Sequence, residues 1–223
     1  MRKNETTGQL NDIAYRTLRD LIVQVKIAPG AALSEDELSK ELGVGFTPIR
    51  TAIRRLAFER LVSVYPRRGT FAADINIGDE FWLTEIRLEL EGLAAQQAAE
   101  RATENEKSGL VALAEAIQNA TSNAEVTDLD ASFHRKIFHL VRNPFLEPTL
   151  HLYFNLSLRI WFYCNQKFSL SDQRGREQRT IAQAIWEGDG KAARAAIQSH
   201  LTNSSTIIRT ILSAGQQNNF ARR

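Results

Sequence analysis

Residues 33–71, LSEDELSKELGVGFTPIRTAIRRLAFERLVSVYPRRGTF, decide the fold of the N-terminal third of this chain. Ser34 followed by Glu37 has the spacing of a capping box, in which the hydroxyl accepts from a free amide of the first turn and the carboxylate reaches back to the cap. A short helix over about 35–42 is predicted behind it. Gly43 supplies a C-terminal cap, and Thr47-Pro48 restarts a helix, because proline in a first turn forfeits no hydrogen bond. In that next helix Ile49, Ala52, Ile53 and Leu56 form one face, and Thr47, Arg50, Thr51 and Arg54 form the other. After Leu61, the β-prone Val62-Ser63-Val64-Tyr65, the turn Pro66-Arg67-Arg68-Gly69 and Thr70-Phe71-Ala72 read as a hairpin with a basic tip. Helix, tight turn, helix and hairpin together predict a winged helix-turn-helix.

Upstream, Ile13, Ala14, Leu18, Leu21, Ile22 and Val25 recur at three- and four-residue spacing, which predicts an amphipathic helix over 13–26 stopped by Pro29-Gly30. Downstream of Asp79 every strong signal is helical. Helices are predicted over 81–101, over 103–119 behind a second capping box of Thr103 and Glu106, and over 127–142, where Asn143-Pro144 interrupts. The stretch 145–167 is aromatic and nearly apolar all round, which places it at the centre of a bundle. Helices over 172–187 and 191–212 follow, joined by Gly188-Asp189-Gly190. The expected fold is mainly α: a winged helix-turn-helix with a small β-hairpin wing in residues 1–75, and an all-α antiparallel helical bundle in residues 76–223.

Composition agrees with two ordinary domains. The chain has 223 residues, 43% hydrophobic and 24% charged, enough to bury a core in each. A single cysteine, Cys164, excludes an intrachain disulfide and any Cys-rich zinc module, and it fits a reducing compartment. The opening MRKNETTG leads into no apolar h-region, and the most apolar stretch, 150–164, is broken by His151, Asn155, Ser157 and Arg159. A cytoplasmic protein with no membrane partner is expected. Its charge is unevenly placed. Residues 1–75 carry 12 Lys/Arg against 9 Asp/Glu, and within 43–68 six arginines face Glu59 alone. That local excess suits a polyanion.

A helix laid in the DNA major groove needs long donors on its outer face, with short polar residues where backbone nears phosphate. Thr47, Arg50, Thr51 and Arg54 meet that need, and Arg67 and Arg68 on the wing suit phosphates or the minor groove. Taken singly, each arginine reads equally well as a solvated helix face. With these motifs in place, residues 33–71 strongly resemble the winged helix-turn-helix of the GntR family of bacterial regulators. The remainder resembles its FadR-like subfamily, whose sensor is the FCD domain. The resemblance implies a transcription regulator that binds double-stranded operator DNA as a homodimer, with Thr47 and Arg50 at DNA-contacting positions. Phe46 stands where the family usually has a base-contacting arginine, and Arg60 where it usually has glycine.

In the second half, Asp130 and His134 lie four residues apart, on one helix face, where they suit either a shared metal or a plain surface hydrogen bond. Gln178 and His200 each lie 11 residues from Asp189 at the turn of the last hairpin, so antiparallel helices bring them level. The resemblance implies a divalent metal held by an Asp-x-x-x-His pair and two later histidines. Asp130, His134 and His200 match; Gln178 replaces the remaining histidine, and its neutral carbonyl is a poorer ligand for zinc or nickel. Two alternatives stand: a divalent ion (zinc, nickel or manganese) on three protein ligands, or a metal-free polar pocket. Arg87 matches an arginine that faces the pocket in relatives, and its chemistry suits an acidic effector; from sequence it reads equally as an exposed partner of Glu91. Gln178 is a second effector-binding candidate. Trp161, Phe162 and Tyr163 are read as core or cavity lining, and His139 and His151 as structural. The expected function is repression or activation modulated by a small organic acid that shifts two DNA-binding heads. The alternative is a metal-dependent hydrolase or lyase using Asp130, His134 and His200, for which no dedicated general base is evident.

Overall fold

The computed structural model of the protein describes residues 2–76, 78–165 and 174–220. The chain divides after Asn76 into two compact units. The first holds α1 (Arg2–Val23), α2 (Glu35–Leu42), α3 (Phe46–Phe58), β1 (Val62–Tyr65) and β2 (Gly69–Ala72). The second holds α4 (Gly78–Arg101), α5 (Glu104–Asn119), α6 (Asn123–Leu140), α7 (Leu146–Asn165), α8 (Arg174–Glu187) and α9 (Gly190–Phe220).

In the first unit the apolar faces read from sequence meet. Ala14, Leu18 and Ile22 of α1 are fully buried, as are Ile49, Ala52 and Leu56 of α3, and α1 packs along α3. Polar contacts seal the same seam: the Tyr15 hydroxyl donates to the Glu59 carboxylate at 3.0 Å, and the Arg55 guanidinium sits 3.5 Å over the Tyr15 ring. α2 is capped by Ser34, whose hydroxyl accepts from the Glu37 amide at 3.3 Å; the reciprocal carboxylate bond expected there is made instead in α5, where Thr103 and Glu106 close both halves. α1 ends earlier than expected. Val25 adopts φ +57 and closes the helix before Pro29, an ending for which a β-branched residue gives no sequence signal. β1 and β2 pair antiparallel, Val62 opposite Ala72 through Tyr65 opposite Gly69. Ala32 bridges Phe71, and Leu33 donates to Thr70 at 2.8 Å, so the wing gains a third short edge that no alternation marked.

α3 leaves the helical path through a C-terminal motif built on Arg60. The Arg60 amide bonds the Ala57 carbonyl at 3.1 Å and the Leu61 amide bonds Leu56 at 2.9 Å, with Arg60 at φ +61. This left-handed position favours glycine, and Leu56 and Leu61, both buried, clasp the turn from either side.

In the second unit α4, not the aromatic α7, is the hub: it packs against α6, α7, α8 and α9. Its sequence hides this. Small residues Gly92, Ala94, Ala95, Ala98 and Ala99 are all buried and allow close approach, and a Cβ at Gly92 would lie 3.2 Å from the Arg194 side chain of α9. α6 begins at Asn123 rather than Thr127, because Ser122 caps it by accepting from Glu125, a signal passed over in the sequence. Phe145, expected to open the buried α7, is 85% exposed and precedes it. The predicted ends of the helices at 167 and 172 lie outside the described residues.

Candidate nucleic-acid interface and candidate metal centre

The outer face of α3 is assembled by its inner one. With Pro48, Ile49, Ala52, Ile53 and Leu56 buried, helical periodicity turns Thr47, Arg50, Thr51 and Arg54 outward together, and all four are exposed. The helix starts on Gly45 with no side-chain cap and no acid in its first turn, so its amides and its dipole favour an anion there. Arg67 and Arg68 lie exposed at the turn joining β1 to β2, Arg67 at φ +62 and Arg68 with its guanidinium 5.9 Å from the Tyr65 ring centre. Two of these residues are engaged locally. Arg50 donates its Nε–H to Glu35 of α2 at 2.6 Å, a partner 15 positions away that sequence spacing could not name. Thr51 spends its hydroxyl hydrogen on the Thr47 carbonyl at 2.9 Å.

In the second unit, α6, α8 and α9 bring Asp130, His134, Gln178 and His200 together. The levels counted from Asp189 are right, because α8 and α9 run antiparallel from a turn in which Gly188 takes φ +76 and Asp189 Oδ1 accepts from the Ala192 amide. His134 and His200 are both buried, with their Nε2 atoms 3.3 Å apart. Asp130 Oδ2 lies 3.9 Å from His134 Nε2, and Asp130 Oδ1 lies 4.0 Å from His200 Nε2. Each imidazole is anchored from behind. His134 Nδ1 donates to Glu91 at 2.6 Å, and His200 Nδ1 donates to Glu177 at 2.7 Å.

The electrostatics fix the direction of those bonds. Burial raises the pKa of Glu91, but the Arg87 guanidinium and the His134 ring override it and hold the carboxyl at about 2. Burial likewise works against the Glu177 anion, and its bonds from His200 and Asn203 carry its pKa below the ordinary value. Both carboxylates are therefore acceptors, so each imidazole gives an Nδ1–H to its carboxylate and turns Nε2 towards the other ring, where a neutral imidazole offers a lone pair. Ligating histidines are held in this way, the distal N–H given to a carboxylate. Two nitrogens on one tetrahedral ion at ordinary zinc distances stand about 3.4 Å apart, so the spacing fits a shared divalent ion as well as it fits an N–H···N hydrogen bond between the rings. Among the described residues, Asp130, His134 and His200 form the one group of three with metal-ligand geometry.

Gln178 completes the cluster differently. It is fully buried and donates Nε2–H to Asp130 Oδ1 at 2.5 Å, while its Oε1 has no hydrogen-bond partner. It orients Asp130 and leaves a carbonyl in reserve.

Arg87 is at the site but is not the exposed residue that the alternative reading required. It is 6% exposed, gives Nε–H to Glu91 at 2.5 Å and NH1 to Ser157 at 2.6 Å, and faces the Phe154 ring. Arg87, Asp130, His134 and His200 are the polar lining of a cavity of about 20 Å3, closed by Phe154, Leu158, Trp161, Leu201 and Ser204. Of the aromatic run, Trp161 alone lines it. Consecutive helical residues point apart, whereas Phe154, Leu158 and Trp161 are spaced by four and three and share a face. His139 is exposed, 3.3 Å from Glu147; His151 lies 4.0 Å from the same carboxylate, and its ring meets Phe138 edge-on. Neither belongs to the buried site.

Comparison with known proteins bears on both units. Residues 10–72 match the family described as bacterial regulatory proteins, gntR family, and residues 82–203 match the FCD domain. An uncharacterized HTH-type transcriptional regulator in an unstable DNA locus of Streptomyces ambofaciens is 32% identical over 88% of this chain and 84% of its own length. The HTH-type transcriptional repressor RspR of Escherichia coli is 28% identical over 92% and 91%. Among solved structures, McbR/YncC of Escherichia coli superposes with a TM-score of 0.81 at 21% identity, covering 90% of this chain and 97% of that one.

Proposed function

The chain belongs to the gntR family of bacterial regulatory proteins, with an FCD domain as its second unit, and is a DNA-binding transcription regulator rather than an enzyme; we propose that a small organic acid, bound beside a divalent ion in the second unit, modulates its hold on operator DNA. The observation that carries this reading is the pair of imidazoles anchored on Glu91 and Glu177 with their Nε2 atoms 3.3 Å apart. Asp130, His134 and His200 would hold the ion. Bound there, it would supply Lewis-acid coordination to an effector carboxylate.

The cavity has room for about one water, so a carboxylate enters when Phe154, Leu158 and Trp161 give way. An effector that binds the opened arrangement better than the closed one shifts the population between them, and differential affinity becomes a change in operator occupancy. Arg87 takes part through its remaining N–H groups, since Glu91 and Ser157 already hold two of its donors. On the DNA side, Thr47, Arg50, Thr51 and Arg54 of α3 enter the major groove, and Arg67 and Arg68 hold the flanking backbone. One such helix reads few base pairs, so a homodimer reading two half-sites is the functional form. Repression is the expected direction, as the similar RspR is named a repressor.

The test combines size and binding. Light scattering gives the mass in solution, and fluorescence anisotropy compares the chain's own upstream DNA with random duplex, with and without zinc, chelator and a panel of carboxylic acids. A dimer that prefers its upstream DNA, with a preference moved by an acid in the presence of metal, is the expected result. A monomer with equal affinity for both duplexes would end the proposal.

A further inference from the structure

Phe46, the first residue of α3, is 50% exposed beside a face otherwise composed of arginines and threonines. A large apolar ring held half in water is out of place on a surface built to meet a polyanion, unless that polyanion presents something apolar to it. Duplex DNA presents one such group at a base edge in the major groove: the C5-methyl of thymine. We propose that Phe46 reads a thymine methyl in each half-site, a role that rests on α3 being the helix that enters the major groove.

The placement supports this. Phe46 and Arg50 lie one turn apart and lean to the same side of α3, so they are separated by about 6 Å along the helix. Stacked base pairs rise 3.4 Å, which puts the thymine one or two base pairs from the base that Arg50 contacts. Arg50 itself is held for an end-on approach. Glu35 takes its Nε–H at 2.6 Å, leaving the NH1 and NH2 fork free to pair with guanine O6 and N7. The apolar reader and the bidentate reader then specify neighbouring positions. Residue 46 also lies at the rim of the helix face, next to the buried line of Ile49 and Ile53, so its ring is half covered by its own domain and presents its other half.

Deoxyuridine lacks the C5-methyl and is otherwise thymidine, so it isolates the contact. A duplex is selected from a randomised pool by the wild-type protein, then resynthesised with dU replacing each dT in turn, and affinities are read by fluorescence anisotropy at fixed salt. Expected is one position per half-site, within two base pairs of the guanine lost in Arg50→Ala, at which dU weakens binding about four-fold, the burial of one CH2-sized group. Phe46→Ala, checked for folding by circular dichroism, should bind dT and dU there equally, and Phe46→Leu should restore part of the preference. If Arg50→Ala lowers specific binding while dU is tolerated at every position, Phe46 does not read a methyl although α3 reads DNA. Undiminished dT preference in Phe46→Ala overturns the assignment too. If no duplex is selected, or Arg50→Ala binds normally, the major-groove reading of α3 falls and this inference with it.

Discussion

Replacing Glu91 with glutamine tests the electrostatic frame of the buried site in one step. Glu91 is 1% exposed and accepts from both Arg87 and His134. Its pKa is held down from 4.5 to about 2, and at about 1.4 kcal/mol per pH unit that gap is worth about 3 kcal/mol to the folded state at neutral pH. Breaking a buried ion pair from one side costs a similar 3–5 kcal/mol, roughly, since a charge is left without its partner. In the second unit each kcal/mol moves the midpoint by about 2–4 °C, so the metal-free variant should melt about 6–12 °C lower at pH 7. The sign with pH follows from the depressed pKa: the contribution is fully present above 4.5 and is lost as pH falls towards 2. The gap between wild type and variant should therefore close over that window. The substitution also alters the imidazole. A glutamine that keeps its carbonyl on Arg87 turns its NH2 towards His134 Nδ1, which forces the ring proton onto Nε2 and removes the lone pair facing His200. Zinc affinity by calorimetry should fall by at least about ten-fold, the usual cost of losing a carboxylate behind a ligating histidine. Differential scanning calorimetry in chelator gives the stability. A midpoint within 2 °C of wild type together with unchanged zinc affinity would refute both the linkage and the tautomer argument.

Further outcomes are expected elsewhere. Gln178→His places a third imidazole beside Asp130 and should tighten zinc binding and intensify the visible bands of the cobalt(II) form as coordination approaches tetrahedral; unchanged bands would mean that residue 178 does not reach the ion. Arg60→Gly relieves a left-handed non-glycine position and should stabilise the first unit by about 0.5–1 kcal/mol, read as a higher denaturation midpoint, whereas a lower midpoint would contradict the strain assigned to φ +61. Glu35→Gln removes the charge from an exposed pair and should leave stability within about 0.5 kcal/mol, but it loosens the hold on the Arg50 Nε–H that orients the fork and should reduce the ratio of operator to random-duplex affinity several-fold; an unchanged ratio would show that Glu35 does not position Arg50.

The helix-turn-helix was legible because its signals are local. Ser34, Gly43 and Pro48 act within a turn of themselves, and the two faces of α3 follow from a 3.6-residue period. Asp130 with His134, and Gln178 level with His200, were legible for the same reason, one by helical spacing and the other by counting from a turn. The third edge of the wing, the early end of α1 at Val25 and the central place of α4 were not, since each depends on what the segment packs against. α7 looked central because it is apolar. α4 is central because its buried face is small enough to let four helices approach, a property of fit that hydropathy does not measure.

By itself the sequence determined that this chain is a winged helix-turn-helix followed by a helical bundle, and which residues stand on the outward side of α3. Residue type and period decide those points, whatever the partners. The tertiary structure alone decided the state of the functional groups. Arg50 is held by Glu35, Arg87 is neutralised by Glu91, His134 and His200 are anchored on Glu91 and Glu177, and Gln178 orients Asp130. Those partners come from separate helices, and proton position, charge and free donors depend on the groups a few ångströms away in space. For Arg87 that decides between an exposed cation and a pocket residue in favour of a buried, shared charge, and the size of the cavity beside it adds that a group larger than a water must open the site in order to enter.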